Sequence, residues 1–589
     1  MLCSRIDVAS QITERGKYLP VSSRCRKELA GQWFANRGAH LHRSGRYSGR
    51  GTRAGNCSPG TVDRVRDYFL VLSGGPSDPD LEAGAVKVFQ TGGEFGPGEL
   101  ATMRQGGLPV KVTGENAEVV AATLLHMGLP VQIVENAPKS MEVSEDILEL
   151  IGDTPLVRLG RLFPGRVVLG KLESLNPGGS TKDRVAVSLV DDAEATGRLL
   201  PGGHIVEPTS GNTGVGLAIV AARRGYRCTF TVPDKVAPEK IALLRAYGAR
   251  VEVCPTNVPA DDPRSYYSVA ERIAAEDPAS FRPDQYSNPA NPRAHVESTG
   301  PEIWKQTGGQ VTHLVAGAGT GGTLGGIGRF LKSRNPHVEV VAADPVGSVY
   351  SGGAGDPYLV EGIGEDFWPA NWDPNVVDGV ETVTDAECFD WARRAAREEG
   401  LLLGGSCGAA LAATHRVAQR SPEGSVIVVV LPDGGRGYLS KFYDDNWMLR
   451  HGFLDEGADP GAARVRDAIA ALRRPALLHV HPDENISTAA LIMAEHRIGV
   501  LAILSSETVR VPGQIPGSVS ASHLGSRLGR GFERIADGEP PLPLVGDGEL
   551  LTAALERANE RGAVIALREG QPVALLTTED LLTAIAASR

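Results

Sequence analysis

Between residues 143 and 455 the chain alternates short β-branched runs with helical segments, and this alternation constrains the fold more than any other feature. The runs are Arg166–Leu172, His204–Glu207, Cys228–Val232, Val251–Cys254, Val311–Ala316, Val338–Ala343 and Ser425–Leu431. Near-continuous apolar strands separated by helices need both faces of a sheet covered, so an α/β fold with an open parallel sheet is expected. The helix after Thr213 is apolar all round (Val215, Leu217 to Ala222) and closes at Gly225, while Pro238 opens a helix that stops at Gly248. Ligands in such folds sit at the C-terminal ends of the strands, which directs attention to four loops.

The first loop, Asn176-Pro-Gly-Gly-Ser-Thr-Lys-Asp-Arg184, leads into a helix with Val185, Ala186, Leu189, Val190 and Ala193 on one face. A cation at a helix start opposes the dipole, so Lys182 suits a neutral amine; an exposed loop lysine is the plain alternative. The second, Pro208-Thr-Ser-Gly-Asn-Thr-Gly214, sets Thr209, Ser210, Asn212 and Thr213 at a helix N-terminus. Simple capping needs one hydroxyl, whereas four polar side chains make a seat for a carboxylate. The third, Gly317-Ala-Gly-Thr-Gly-Gly-Thr-Leu-Gly-Gly326, can close backbone amides on a phosphate, with Thr320 and Thr323 as further donors. Its Gly317, Gly319 and Gly322 also satisfy G-x-G-x-x-G, with Asp344 on the next strand, as in an NAD-dependent oxidoreductase. That reading leaves Lys182 and the 208–214 loop without a role. The fourth, Gly404-Gly-Ser-Cys-Gly408, offers Ser406 as a neutral hydroxyl, and Cys407 reads as a packed thiol.

A lysine, a carboxylate cradle, a phosphate cradle and a neutral hydroxyl together meet the needs of pyridoxal 5'-phosphate acting on an amino acid. On these loops, residues 143–455 resemble the fold-type II family of cysteine synthases and cystathionine β-synthases, enzymes built of two open twisted α/β subdomains. The resemblance makes Lys182 the catalytic and cofactor-holding lysine, with Asn212 beside the ring hydroxyl and Ser406 at the pyridine nitrogen. It places the cofactor phosphate at Gly319, Thr320, Gly321, Gly322 and Thr323, and the substrate carboxylate at Thr209, Ser210, Gly211, Asn212 and Thr213. Asp284-Gln-Tyr-Ser-Asn288 with Asn291-Pro-Arg-Ala-His295 matches a further block, in which Gln285 meets substrate. Glu361-Gly-Ile-Gly364 matches the block that lines the cleft through Gly362. The longer runs Glu361-Gly-Ile-Gly-Glu-Asp-Phe-Trp-Pro369 and Leu431-Pro-Asp-Gly-Gly-Arg-Gly-Tyr438 resemble cystathionine β-synthases of actinobacterial type. This implies a lyase that condenses L-serine or O-acetylserine with homocysteine. A neutral Ser406 leaves the ring nitrogen unprotonated, a weaker electron sink that favours β-replacement over transamination. A cysteine synthase using sulfide differs only in its acceptor thiol, and a non-catalytic sensor would require a broken site.

Residues 474–589 carry a doubled pattern. Helix His481–His496 leads to strand Val500–Leu504; helix Asp547–Gly562 leads to strands Val564–Leu567 and Val573–Leu576, then helix Thr578–Ala587. The pair resembles the tandem CBS (Bateman) regulatory module of the same enzymes, at 474–528 and 529–589 after a linker at 456–473. Thr577-Thr-Glu-Asp580 fits the ribose-binding T-x-x-D end, which implies a nucleotide or S-adenosylmethionine at Thr577 and Asp580. Ser520-Ala-Ser-His523 has His where the acid belongs, so the first copy is degenerate.

In front, residues 66–138 read as a small α/β module with strands Ala85–Phe89, Leu108–Val112 and Val131–Val134 and a helix Asn116–Met127. Residues 1–65 read as a basic disordered tail. Met141-Glu-Val-Ser-Glu145 looks like a natural start for such an enzyme, which makes residues 1–140 an addition. The net charge of −11 conceals +8 within residues 1–60, so the acidic remainder argues against nucleic-acid binding. Seven Cys without a C-x-x-C pair fit a reducing cytoplasm. No apolar run reaches the ~18–20 residues of a membrane span. Neither metal nor haem is expected, since Cys57-Ser-Pro-Gly60 lacks the Cys-Pro of the animal enzymes' haem segment. The expected partners are small amino-acid and thiol substrates and further copies of the chain, as a homodimer or homotetramer.

Overall fold

The structure is a computed structural model. It describes the backbone of residues 67–72, 110–113 and 131–134, and residues 143–588 except 210, 235, 237, 256–257, 259–261, 458–460, 507 and 536–537. Strands β1 (Asp67–Leu72), β2 (Val110–Thr113) and β3 (Val131–Val134) form an antiparallel sheet in the order β2-β1-β3. The sequence reading passed over β1. Its expected strand Ala85–Phe89, helix Asn116–Met127 and tail 1–65 lie outside the described residues.

Ser144–Arg589 forms a separate compact unit. Its first portion contains β4 (Leu156–Arg158), β5 (Val167–Leu172), β6 (His204–Pro208), β7 (Arg227–Pro233), β8 (Arg250–Cys254), β9 (Ser280–Phe281), β10 (His313–Gly317), β11 (Glu339–Pro345), β12 (Gly379–Val383) and β13 (Val426–Leu431). The residue pattern alone led to one parallel sheet; the strands divide into two. One runs β12-β11-β10-β13-β5-β4, parallel except for the edge strand β4, and the other runs β8-β7-β6-β9, all parallel. The β-branched runs fix burial on both faces but say nothing about partners, and β5 pairs with β13 from the far end of this portion.

The apolar runs are continuous because each face of the larger sheet has its own core. Along β13, Ile427, Val429 and Leu431 enter one cluster while Val428 and Val430 enter the other. The smaller sheet buries Ile205, Phe230, Val232 and Val251 against two helices, Lys182–Ala195 and Asn212–Arg224. All five apolar positions anticipated on the first of these helices, from Val185 to Ala193, are fully buried. Gly225 ends the second in a left-handed conformation, φ 75°.

The C-terminal portion repeats a strand–helix–strand–strand–helix order. β14 (His479–Val480), β15 (Val500–Ile503) and β16 (Gly517–Ser520) form one sheet, and β17 (Leu544–Gly546), β18 (Ala563–Arg568) and β19 (Gln571–Thr577) form another. In each, the first pair is parallel and the second antiparallel. The expected linker 456–473 holds a helix, Val465–Ala471, whose Val465 and Ala468 are buried with Leu576 and Leu581 of the second repeat. Apolar side chains at 465, 468 and 469 give this segment a face to bury, which the Gly, Ala and Arg around them obscured.

Candidate active site

The four loops lie where β5, β6 and β10 end and where the helix Gly405–Arg420 begins. In the first loop, most polar side chains hold backbone. Asn176 Oδ1 accepts the Gly152 N–H at 2.9 Å, and Asp183 accepts the Gly178 N–H at 2.5 Å. Arg184 is buried between two carboxylates, Glu173 (Nε–Oε2 2.8 Å) and Glu302 (Nη1–Oε1 2.5 Å), and Lys171 adds a second cation to Glu302 at 2.6 Å. Burial alone would raise Glu302, but Arg184 and Lys171 outweigh it and hold the carboxyl at about 2. The loop is also tied down across the sheet, where the Thr181 N–H donates to Pro432 O at 2.8 Å. Lys182 is thereby set at the first turn of its helix, and desolvation lowers its ammonium pKa against the opposing fields of Glu365 and Asp433. A desolvated amine at a helix N-terminus favours the neutral, nucleophilic form.

Lys182, Gly319, Thr320, Gly321, Thr323 and Gly362 line one cavity, together with Thr181. The Thr181 hydroxyl is buried and has no hydrogen-bond partner among the described residues, so a polar ligand atom would satisfy it. The glycines of the third loop are required by close packing against neighbouring residues. Gly321 has φ 80°, and a Cβ on Gly322 would lie 2.0 Å from Asn291 Oδ1. The loop opens the helix Gly322–Arg334, so its amides and the dipole face an anion. Thr320 Oγ1 accepts from Asn291 Nδ2 at 2.9 Å, which leaves the hydroxyl proton to donate. Thr323 Oγ1 meets His295 Nε2 at 3.1 Å. His295 lies on a π-turn, His295–Thr299, and burial lowers its pKa to about 3, so the imidazole is neutral. Ser406 is buried, and Gly362 approaches it closely enough that a Cβ there would lie 3.8 Å from its Oγ.

The second loop ends β6 on the smaller sheet. Gly211 has φ 152° and its N–H donates to Thr209 Oγ1 at 3.2 Å; Ser210 lies outside the described residues. Thr213 Oγ1 donates to Gln285 Oε1 at 2.7 Å, which brings the Gln285 block to this loop. Buried Glu207 holds that block in place by accepting the Asp284 and Gln285 N–H groups, and desolvation pushes its carboxyl up to about 7. Asn212 Nδ2 donates to Asp433 Oδ2 at 3.0 Å across the cleft.

Some residues of the site were not singled out from sequence. Asn291 and His295 brace the glycine-rich loop at Thr320 and Thr323, and both stood inside a recognised block whose only marked contact was Gln285. Glu365 acts on Lys182, and burial with Asp366 nearby pushes it up to about 8. Asp433 and Tyr438 belong to the run that ends in Tyr438. The dinucleotide reading fails on geometry, because Asp344 is fully buried and its Oδ2 accepts the Ser351 N–H at 2.8 Å. Cys407 is a packed thiol, 3.2 Å from Asp433 O, with a pKa raised by burial.

These residues suit pyridoxal 5'-phosphate, with a desolvated lysine, an orphaned hydroxyl and a glycine cradle at a helix start around one cavity. The family model of pyridoxal-phosphate dependent enzymes matches residues 147–433, the portion that carries all four loops. Cystathionine beta-synthase of Apis mellifera is 47% identical over 322 residues, covering 53% of this chain and 64% of that protein. The Rattus norvegicus cystathionine beta-synthase is 40% identical over 421 residues, 68% of this chain and 72% of that protein. A solved O-ureido-L-serine synthase is 41% identical and covers 54% of this chain and 98% of its own, with a TM-score of 0.50. Fold and site define a pyridoxal-phosphate-dependent α/β enzyme. Within that class the chain belongs to the cystathionine β-synthase family. Its match spans less than two thirds of the length of the Apis mellifera relative.

Proposed function

We propose that the chain catalyses β-replacement between L-serine, or O-acetylserine, and L-homocysteine. With serine the Cβ–O bond breaks, a Cβ–S bond forms, and the thiol proton leaves with the hydroxyl as water, giving L-cystathionine. Lys182 would hold the cofactor, and its free amine is placed to take the Cα proton and later return it. Bound pyridoxal phosphate supplies the electron sink that makes this proton removable. Asn212 would meet the ring hydroxyl, Gly319, Thr320, Gly321, Gly322 and Thr323 would hold the phosphate, and Ser406 would be the neutral partner of the ring nitrogen. Thr209, Ser210, Gly211, Thr213 and Gln285 orient the substrate carboxylate, with Gly362 opposite.

The observation that carries this reading is the shared cavity of Lys182, the glycine-rich loop and Gly362, with the lysine amine desolvated. The test measures products from serine or O-acetylserine with homocysteine and, separately, with sulfide. Cystathionine formed faster than cysteine supports the proposal; cysteine alone, from sulfide, makes the chain a cysteine synthase.

The repeated C-terminal sheets support a tandem CBS module, 474–528 and 529–589, with one nucleotide or S-adenosylmethionine site at its second copy. There Thr577 and Asp580 cap each other: Thr577 N–H and Oγ1 donate to Asp580 Oδ2 at 2.8 and 2.7 Å, and the Asp580 N–H donates back at 3.2 Å. In the first copy Ser520 Oγ accepts the His523 N–H, but the Ser520 N–H turns to Glu539 at 2.9 Å. We place the enzyme in the cytoplasm as a homodimer or homotetramer; among the described residues no helix is long and apolar enough to cross a membrane.

A further inference from the structure

The loop after β13 carries a buried acid that the chemistry above leaves without a role. Asp433 Oδ2 receives two donors, Asn212 Nδ2 at 3.0 Å and Tyr438 Oη at 2.8 Å, and the Cys407 thiol stands 3.7 Å from Oδ1. The site is built around this group. A Cβ on Gly404, at the start of the Ser406 loop, would lie 1.9 Å from Asp433 Oδ1. Burial raises the Asp433 pKa, while the hydrogen bonds from Asn212 and Tyr438 and the charge of Lys240 act against that rise and favour the carboxylate, which only accepts.

An acceptor-only neighbour decides which way the Asn212 amide faces. Its nitrogen points to Asp433, which leaves the second N–H on that nitrogen and the carbonyl Oδ1 to meet a ligand, and of these only the N–H can donate to an anionic oxygen. Turning the amide over would set its carbonyl oxygen against the carboxylate. The field that Asp433 exerts on Lys182 is countered by lysines close to the carboxylate. Lys240 lies 4.3 Å over the Tyr438 ring and 2.5 Å from Glu361, which also pairs with Lys441, so two acids face two lysines. With the charges balanced, the directed hydrogen bond decides.

We propose that Asp433 is a positioning residue that locks the Asn212 amide as a donor toward the cofactor's ring oxygen and so favours the ionised form of that ring hydroxyl. The proposal rests on the reading that Asn212 lies beside that hydroxyl. It adds a control on the cofactor's electronic state, exerted from a loop 221 residues away in sequence.

The test is the absorption spectrum of the holoenzyme, because the ionised ring hydroxyl absorbs at longer wavelength than the protonated one. Asp433→Leu keeps the branched skeleton, with bulkier methyl groups in place of the oxygens, and accepts no hydrogen bond. It should lower the ratio of the long- to the short-wavelength band roughly fivefold, the equilibrium effect of about one hydrogen bond. Asp433→Asn keeps one acceptor and should give a smaller fall in the same direction; it is the variant to measure if Asp433→Leu does not fold. In an Asn212→Ala background neither substitution should move the ratio by more than about twofold. An unchanged or increased ratio overturns the proposal, and so does an equal fall without Asn212. Loss of cofactor binding in both single variants also overturns it, since the Lys182 and phosphate-loop contacts remain. A wild-type chain with no visible band after cofactor addition would instead overturn the underlying reading of the site.

Discussion

The two sheets of the catalytic portion contribute unlike loops to one cleft. The six-stranded sheet supplies Gly319 to Thr323, Gly362 and Ser406, a surface of glycines and neutral hydroxyls shaped by close packing. The four-stranded sheet supplies Thr209, Thr213 and Gln285, a set of hydrogen-bonding side chains around a positive-φ glycine. Lys182 straddles them. Its loop is tied to Pro432 beside the larger sheet, while its helix is buried in the core of the smaller one. The difference suits the tasks proposed for them: one half to hold a cofactor by shape and dipole, the other to recognise an amino acid by directed hydrogen bonds.

The sharpest way to break this division is at the residue that joins the halves. Lys182→Ala should lower turnover by roughly 10³-fold or more and remove the visible band of the covalently held cofactor; retention of either in steady-state rates or spectra contradicts its role. Next in size is Gly322→Ala, which drives a methyl group into Asn291. Overpacking of about 1–3 kcal/mol directed at the phosphate loop should raise the cofactor Kd about 10- to 100-fold. The donor KM, measured with cofactor saturating, should stay within about twofold.

On the other half the pattern should invert. Gln285→Ala should raise the donor KM about tenfold, the loss of a hydrogen bond to a charged group, and leave cofactor affinity unchanged by equilibrium dialysis. The smallest effect concerns His295, whose folded pKa of about 3 lies below its ordinary 6.5 because burial disfavours the charged ring. Between these values the unfolded chain binds a proton that the folded chain does not, so stability falls as pH drops below about 6.5. From pH 7 to 5.5 this group should cost about 1.2 kcal/mol, read by denaturant melts, and His295→Asn should remove that share.

The loops of both halves were legible in the sequence because their chemistry is local. Gly319 to Thr323 and Thr209 to Thr213 each carry glycine and hydroxyl within a few residues of a helix start. The supports were not legible. Asp433 reaches Asn212 across 221 residues, and Asn291 reaches Thr320 across 29, contacts that no periodicity reports. The split into two sheets came from the family resemblance and not from the strand pattern, since Val428 and Val206 look alike as buried strand residues until their partners are known. In the C-terminal repeat, Gly517-Ser-Val-Ser520 holds too little apolar character to read as a strand, yet it pairs with β15 along four residues. The Arg184 network shows a third kind of concealment. A charge in a recognised motif invites a chemical role, but its fork is spent on Glu173 and Glu302, which leaves Lys182 as the one group of the motif proposed to react.

That single reactive group is open to direct measurement. The full chain, loaded with pyridoxal phosphate, is reduced with borohydride and digested, and the peptide carrying the pyridoxyl group is located by mass spectrometry. Attachment at Lys182 alone is the predicted result. Attachment at Lys171, Lys240 or Lys441, or no attachment at all, would contradict the site described above.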